Sequence, residues 1–208
     1  MFISFEGIDF CGKSTQIKLL KEYLERKNIV VEILREPGGT EISEQVRTIL
    51  LSKKNNLMTL ETEVLLFAAS RAQLVREKLI PLLQSGSYVI SDRFHDSTTA
   101  YQGYGRGIPL NIIDNIHKIS VGDTLPDLTF LIDISLEEVE NRKLKISNSE
   151  LDRIEISDRL FFEKVRTGYL ELAKSEKRFV IINGLEEVNH IHDKIVTIIN
   201  QHTLGNVK

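Results

Sequence analysis

The sequence predicts an α/β fold: a doubly wound sheet of five parallel strands with helices on both faces. Three observations predict it. Short, near-continuous apolar runs recur along the chain, as strands buried on both faces require. Longer amphipathic runs with helical spacing separate them. A glycine-bounded loop directly follows the first apolar run, and the pattern beyond it is helical.

The first strand is Phe2 to Phe5, which breaks into the loop Gly7 to Gly12 and then a helix over Ser14 to Lys27. The apolar run Val30 to Leu34 is the second strand, and "REPGGT" behind it leads to a helix over Glu41 to Ser52. One long helical pattern covers Glu61 to Gln84. The third strand, Tyr88 to Ser91, ends in the polar stretch "SDRFHDSTTAYQGYGRGI", and a helix follows over Leu110 to Ile119. Leu128 to Ile132 is the fourth strand, with a helix over Leu136 to Lys145 after it. "KLKISNSELDR", Lys143 to Arg153, is polar and rich in breakers, which predicts a mobile loop. A helix over Asp158 to Ser175, a fifth strand over Phe179 to Ile182 and a helix over Glu187 to Gln201 complete the series. In such sheets ligands sit at the carboxyl ends of the strands.

Composition narrows the function. The 208 residues suit one globular domain with a sizeable core, and no repeat, low-complexity tract or linker divides them. The apolar share is 41% and the charged share 27%, as in an ordinary soluble protein. No apolar run approaches the roughly 20 residues that cross a bilayer. The N-terminus has no signal-peptide pattern, so no membrane association and a cytoplasmic location are expected. The single cysteine, Cys11, excludes an internal disulfide and a Cys-rich metal site. A net charge of −3 provides no broad basic field for a nucleic-acid polymer, so phosphate must be held locally. Of the five histidines, His190 and His192 alone have ligand-like spacing, on a polar helix start that reads as surface.

The local phosphate site is "EGIDFCGKSTQ". Gly7, Gly12, Lys13 and Ser14 satisfy GxxxxGK[ST], in which loop N–H groups and a helix N-terminus cradle phosphates. Lys13 neutralises phosphate charge and the Ser14 hydroxyl is a Mg²⁺ ligand. Cys11 reads as a reactive thiol near a helix N-terminus or as a small residue that fits the loop. A guanine-reading NKxD is absent. Asp92 stands at a strand's carboxyl end, where a carboxylate serves a Mg²⁺ shell, and Arg93 beside it offers charge to a second phosphate. Phe67 and Arg71 share one helix face, so a ring for stacking and a guanidinium for a carbonyl edge come together.

With "REPGGT", "LLFAASRAQLV", "LPDLTFLID" and "ELDRIE" in the same order and spacing, the chain resembles the thymidylate kinases, nucleoside monophosphate kinases of the P-loop NTPase type. The resemblance covers nearly the whole chain. It implies transfer of the γ-phosphoryl of ATP to dTMP, giving dTDP and ADP, a step in dTTP synthesis, with Mg²⁺ as cofactor. Catalysis in that reaction is positioning and charge neutralisation.

The resemblance also implies residue roles. Gly7, Ile8, Asp9, Phe10, Cys11, Gly12, Lys13, Ser14 and Thr15 would hold ATP, with Arg142 against the adenine and Asp92 in the outer shell of the metal. Arg35 and Arg93 would meet the dTMP phosphate in a pocket lined by Glu36 and Pro37, and Asp9 would reach the 3′-hydroxyl. Phe67 would stack on thymine and Arg71 would donate to its O4. Ser97 or Thr98 would contact the base, Gln102 would support it, and Tyr101 would fill the space of a ribose 2′-hydroxyl. The polar loop, about 142–154, would be the lid. The phosphate loop carries no arginine, so Lys145 or Arg153 would join Lys13 and Arg93 in the catalytic set. The lid is slightly long, with lysines where arginine is usual, and lysine lacks the bidentate fork. A homodimer packed through Glu41 to Ser52 and Glu61 to Gln84 is also implied. Two other readings fit the phosphate loop: another kinase of nucleotides or nucleosides on this scaffold, or a non-catalytic nucleotide-binding module.

Overall fold

A computed structural model describes residues 1–145 and 151–205; residues 146–150 of the expected lid lie outside that range. Strands β1 Phe2–Glu6, β2 Val31–Arg35, β3 Tyr88–Asp92, β4 Leu128–Asp133 and β5 Phe179–Asn183 form one all-parallel sheet in the order β2-β3-β1-β4-β5. Successive connections leave β1 first to one side and then to the other. The resulting switch in strand order opens a crevice at the carboxyl edge.

Every strand runs one residue past its apolar run, onto a polar side chain: Glu6, Arg35, Asp92, Asp133 and Asn183. Hydrogen-bond pairing continues through these residues, as in the registers Phe5 with Asp92 and Arg35 with Asp92. The sheet therefore ends in a row of polar groups at its carboxyl edge, of which Arg35 and Asp92 line the cavity, while its interior is mainly apolar. Alternation along β1 divides the packing. Phe2 joins a cluster with Leu34, Val75, Leu79 and Val89, whereas Ile3 and Phe5 join a larger one with Leu20, Leu24, Phe130, Ile195 and Ile199.

The helices are α1 Lys13–Arg26, α2 Glu41–Leu51, α3 Leu60–Leu74, α4 Ile80–Gln84, α5 His95–Thr98, α6 Leu110–Ser120, α7 Leu136–Lys143, α8 Arg159–Ser175 and α9 Val188–Gly205. Local chemistry sets several of their starts. Thr40, Thr59, Ser135 and Asp158 each accept a backbone N–H of the first turn, a cap that contributes about 1 kcal/mol.

Two regions depart from the sequence pattern. The single helix expected over Glu61 to Gln84 is α3 and α4 joined by a π-helical turn, Val75–Leu79. Pro81 stands in the first turn of α4 and has no N–H to donate, and widening the preceding turn accommodates it. After β3, α5 runs into a π-helical segment, Thr99–Gly105, that periodicity does not announce. One threonine and two glycines among its seven residues give that stretch poor helix propensity. It is held instead by α8, whose Phe161 and Val165 pack against Gly105 and whose Gly168 packs against Tyr104.

Candidate active site

The phosphate loop connects β1 to α1. Gly12 at φ 103° turns the chain into the helix, and Gly7 at φ 135° lies so close to the Ile132 carbonyl that a Cβ would collide with it. Lys13 is buried and donates from Nζ to the Gly7 and Ile8 carbonyls, both at 3.1 Å, inside the loop it closes. Cys11 is 2% exposed, with its Sγ 3.6 Å from Lys13 Nζ, and packs beneath the loop, which favours the small-residue reading over the reactive thiol. Ser14 Oγ donates to Asp92 Oδ2 at 3.1 Å, joining the loop to the end of β3. Hydroxyl and carboxylate oxygens are hard donors, a set that fits Mg²⁺.

Arg93 has φ 69°, a conformation uncommon outside glycine, and its guanidinium collects the neighbouring groups. One nitrogen donates to the Gly7 carbonyl, Ser97 Oγ and Tyr169 Oη, and the other to Asp9 Oδ1 at 2.6 Å and Tyr101 Oη at 3.0 Å. Burial tends to raise the Asp9 carboxyl, but Arg93 and Lys13 prevail and hold it below the ordinary aspartate value. Ser97 and Tyr169 both reach Glu6, which also accepts the Phe94 N–H at 2.7 Å. Burial, reinforced by the charge of Asp96, pushes the Glu6 carboxyl up.

A second cluster lies on α3. Arg71 is 1% exposed and donates to Glu36 Oε2 at 2.6 Å, Thr98 Oγ1 at 2.9 Å and the Phe94 carbonyl at 3.2 Å. Gln102 donates to Glu63 at 2.9 Å. Nearer solvent, Arg35 forms a two-pronged contact with Glu44 at 2.8 and 2.9 Å, and Arg47 donates to the Pro37 carbonyl.

These groups line one cavity of about 570 Å³, within the size range of small-molecule sites. Its wall includes Asp9, Phe10, Gly12, Lys13, Ser14, Thr15, Arg35, Glu36, Pro37, Phe67, Arg71, Asp92, Arg93, Ser97, Thr98, Tyr101, Gln102 and Arg142. Gly7, Ile8 and Cys11 stand behind that wall. Arg142 donates to the Phe10 and Gly184 carbonyls, bridging the phosphate loop and the turn after β5.

The lid-side cations differ from expectation. Lys143 donates to the Glu155 carbonyl, and Lys145 is exposed at the border of the described residues. Arg153 turns away from the cavity, with Nη2 2.6 Å from Glu63 and Nε donating to the Leu50 carbonyl. With its charge on a buried carboxylate, Arg153 stands outside the cavity lining and apart from Lys13 and Arg93, with which the catalytic set grouped it.

Arg47, Leu51, Asp152, Ile154 and Glu155 also line the cavity, while Glu6, Glu63 and Tyr169 support it from behind. Glu6 was detectable as a lone acid closing an apolar strand, and Glu63 by its place four residues before Phe67. Tyr169 sits in an ordinary amphipathic helix and carries no local signal.

A phosphate-binding loop at the carboxyl edge of an all-parallel sheet, opening into a cavity edged with arginines, places the chain among P-loop NTPases. The family is narrower still. Residues 5–195 match the family model described as thymidylate kinase. The thymidylate kinase of Thermoanaerobacter sp. (strain X514) is 47% identical over 97% of this chain and 98% of its own, and that of Chlorobium luteolum is 49% identical over 97% of each. The crystal structure of thymidylate kinase from Ehrlichia chaffeensis superposes with a TM-score of 0.77 at 36% identity, covering 96% of this chain and 98% of that one. The chain belongs to the thymidylate kinase family.

Proposed function

We propose that this chain is a thymidylate kinase that transfers the γ-phosphoryl of ATP to dTMP, releasing dTDP and ADP. One observation carries the reading: a single cavity joins the phosphate loop to the Phe67 and Arg71 wall, with Arg93 between them. A donor and an acceptor nucleotide in such a cavity meet end to end, as in-line transfer requires.

Lys13 and the loop N–H groups bind the ATP phosphates, and Arg142 steadies the loop beside the adenine. Ser14 would ligate Mg²⁺ with Asp92 in its outer shell, and the ion would supply neutralisation of phosphate charge. Arg35 and Arg93 bind the dTMP phosphate, and Arg47, whose guanidinium enters the same wall, adds a third cation. Asp9, kept ionised by Arg93 and Lys13, accepts from the 3′-hydroxyl. Phe67 stacks on the base, and Arg71, pinned by Glu36 and Thr98, keeps spare N–H donors for O4. Lys145 is the lid-side cation assigned to the transferred group.

The Arg71 and Gln102 wall and the three cations favour a nucleotide acceptor over a nucleoside, and an acceptor over none. A cytoplasmic homodimer suits the reading. Ile42 and Ile49 of α2 and Leu60 and Leu65 of α3 leave apolar surface exposed for a second copy. ADP release with Mg²⁺ and ATP, measured with dTMP, dUMP, dCMP, UMP, thymidine and no acceptor, tests the activity. Release led by dTMP, with thymidine inert, supports it; equal release without acceptor overturns it.

A further inference from the structure

The carboxylate of Glu63 is buried in the middle of the protein yet makes no contact with the cavity itself. Its two oxygens serve different walls. Oε1 accepts from Gln102 Nε2 at 2.9 Å and Arg106 Nε at 3.3 Å, while Oε2 lies 2.6 Å from Arg153 Nη2. Gln102 belongs to the pocket wall beside Arg71, and Arg153 belongs to the chain returning from the expected lid. Arg153 is fixed further by its Nε on the Leu50 carbonyl and its N–H on the Leu51 carbonyl. On either side of it, Asp152, Ile154 and Glu155 line the cavity.

We infer that Glu63 is a positioning residue that couples the acceptor pocket to the 151–155 wall through its simultaneous hold on Gln102 and Arg153. The physical reason is the buried charge. A carboxylate in the interior needs cationic partners, so Glu63 draws Arg153 inward and the flanking residues follow it into the cavity wall. A nucleotide that fixes Gln102 steadies the same carboxylate and through it the 151–155 backbone. Coupling between two binding elements is reciprocal, so this wall in turn sets the affinity for the acceptor. The inference rests on the acceptor being held at the Arg71 and Gln102 wall, as proposed above.

The test is Glu63→Gln, which keeps the size and an acceptor oxygen for Gln102 but removes the charge that holds Arg153. The KM for dTMP is expected to rise about fivefold or more, with kcat and the KM for ATP within about twofold of wild type. Amide hydrogen exchange in a peptide covering 151–156 should quicken without ligand, and dTMP should no longer slow it. Arg153→Gln approaches the pair from the other side, leaves Glu63 with Arg106, and should reproduce the same exchange signature if Glu63→Gln folds poorly. Unchanged exchange at 151–156 in both variants overturns the inference. So does a fall in kcat for Arg153→Gln at constant KM, which would place that arginine over the transferred group. If the wild type releases no ADP in response to dTMP, the acceptor assignment fails, while the ligand-free exchange comparison still decides whether Glu63 holds the wall.

Discussion

Arg71 Nε and Glu36 Oε2 lie 2.6 Å apart with side-chain exposures of 1% and 3%, a contact wholly inside the protein at the wall of the cavity. Burial raises the Glu36 carboxyl to about 7, against the attraction of Arg71 and with added repulsion from Glu6. The folded chain therefore holds this proton more tightly than the unfolded chain does. Its stabilising contribution is complete below the ordinary value of 4.5 and is lost as pH rises towards 7. The shift corresponds to about 3 kcal/mol. Thermal denaturation between pH 4.5 and 8 should show a decline in stability that Glu36→Gln flattens; parallel curves for the two proteins would contradict it.

Arg71→Ala leaves Glu36 without its cation. Breaking a buried pair in this way costs about 3–5 kcal/mol, so a clear drop in denaturant midpoint at pH 8 is expected. Titration of the folded variant should show weakened dTMP binding and unchanged ATP binding.

The Ser14 to Asp92 contact joins two oxygen donors at the phosphate loop. Ser14→Ala should lower kcat by at least about a hundredfold, the scale on which loss of one transition-state charge contact is felt. Chelation of Mg²⁺ should abolish ADP release. Neither change should shift the thermal midpoint, because these groups are not part of the packed core.

Arg93 distributes its donors among Gly7, Asp9, Ser97, Tyr101 and Tyr169. Lysine keeps the charge but loses the planar fork. Arg93→Lys should reduce kcat/KM for dTMP by about a thousandfold, and steady-state kinetics at varied dTMP would reveal it. Retention of near-normal activity would remove Arg93 from the acceptor phosphate.

Gly168 is where α8 meets the π-helical segment: an added methyl would lie 2.7 Å from the Tyr104 ring. Gly168→Ala should destabilise by about 1–3 kcal/mol through overpacking. Since that segment carries Tyr101 and Gln102, the KM for dTMP should rise as well. Calorimetry and a dTMP titration would show the two effects together.

Much of this architecture is legible locally. Apolar runs mark all five strands, and 3.6-residue spacing marks the long helices, because both patterns repeat within a few residues. The phosphate loop is a contiguous motif, and Phe67 and Arg71 share a helix face by spacing alone. The polar last residue of each strand escapes the same reasoning, since an apolar run ends where burial ends and backbone pairing does not. The helical turns after β3 escape it too, because their support comes from α8 rather than from their own propensity.

The sequence by itself determined the order of elements, the strand-to-helix phosphate loop and the family. Only the tertiary structure decided which charges meet. Asp9 and Arg93 are 84 residues apart, and Arg153 reaches a carbonyl 103 residues away at Leu50. Such pairs depend on where separate elements cross, and buried charge must find its partner there. That requirement turns Arg153 towards Glu63 and leaves Arg93 facing the cavity, a choice that no local period records.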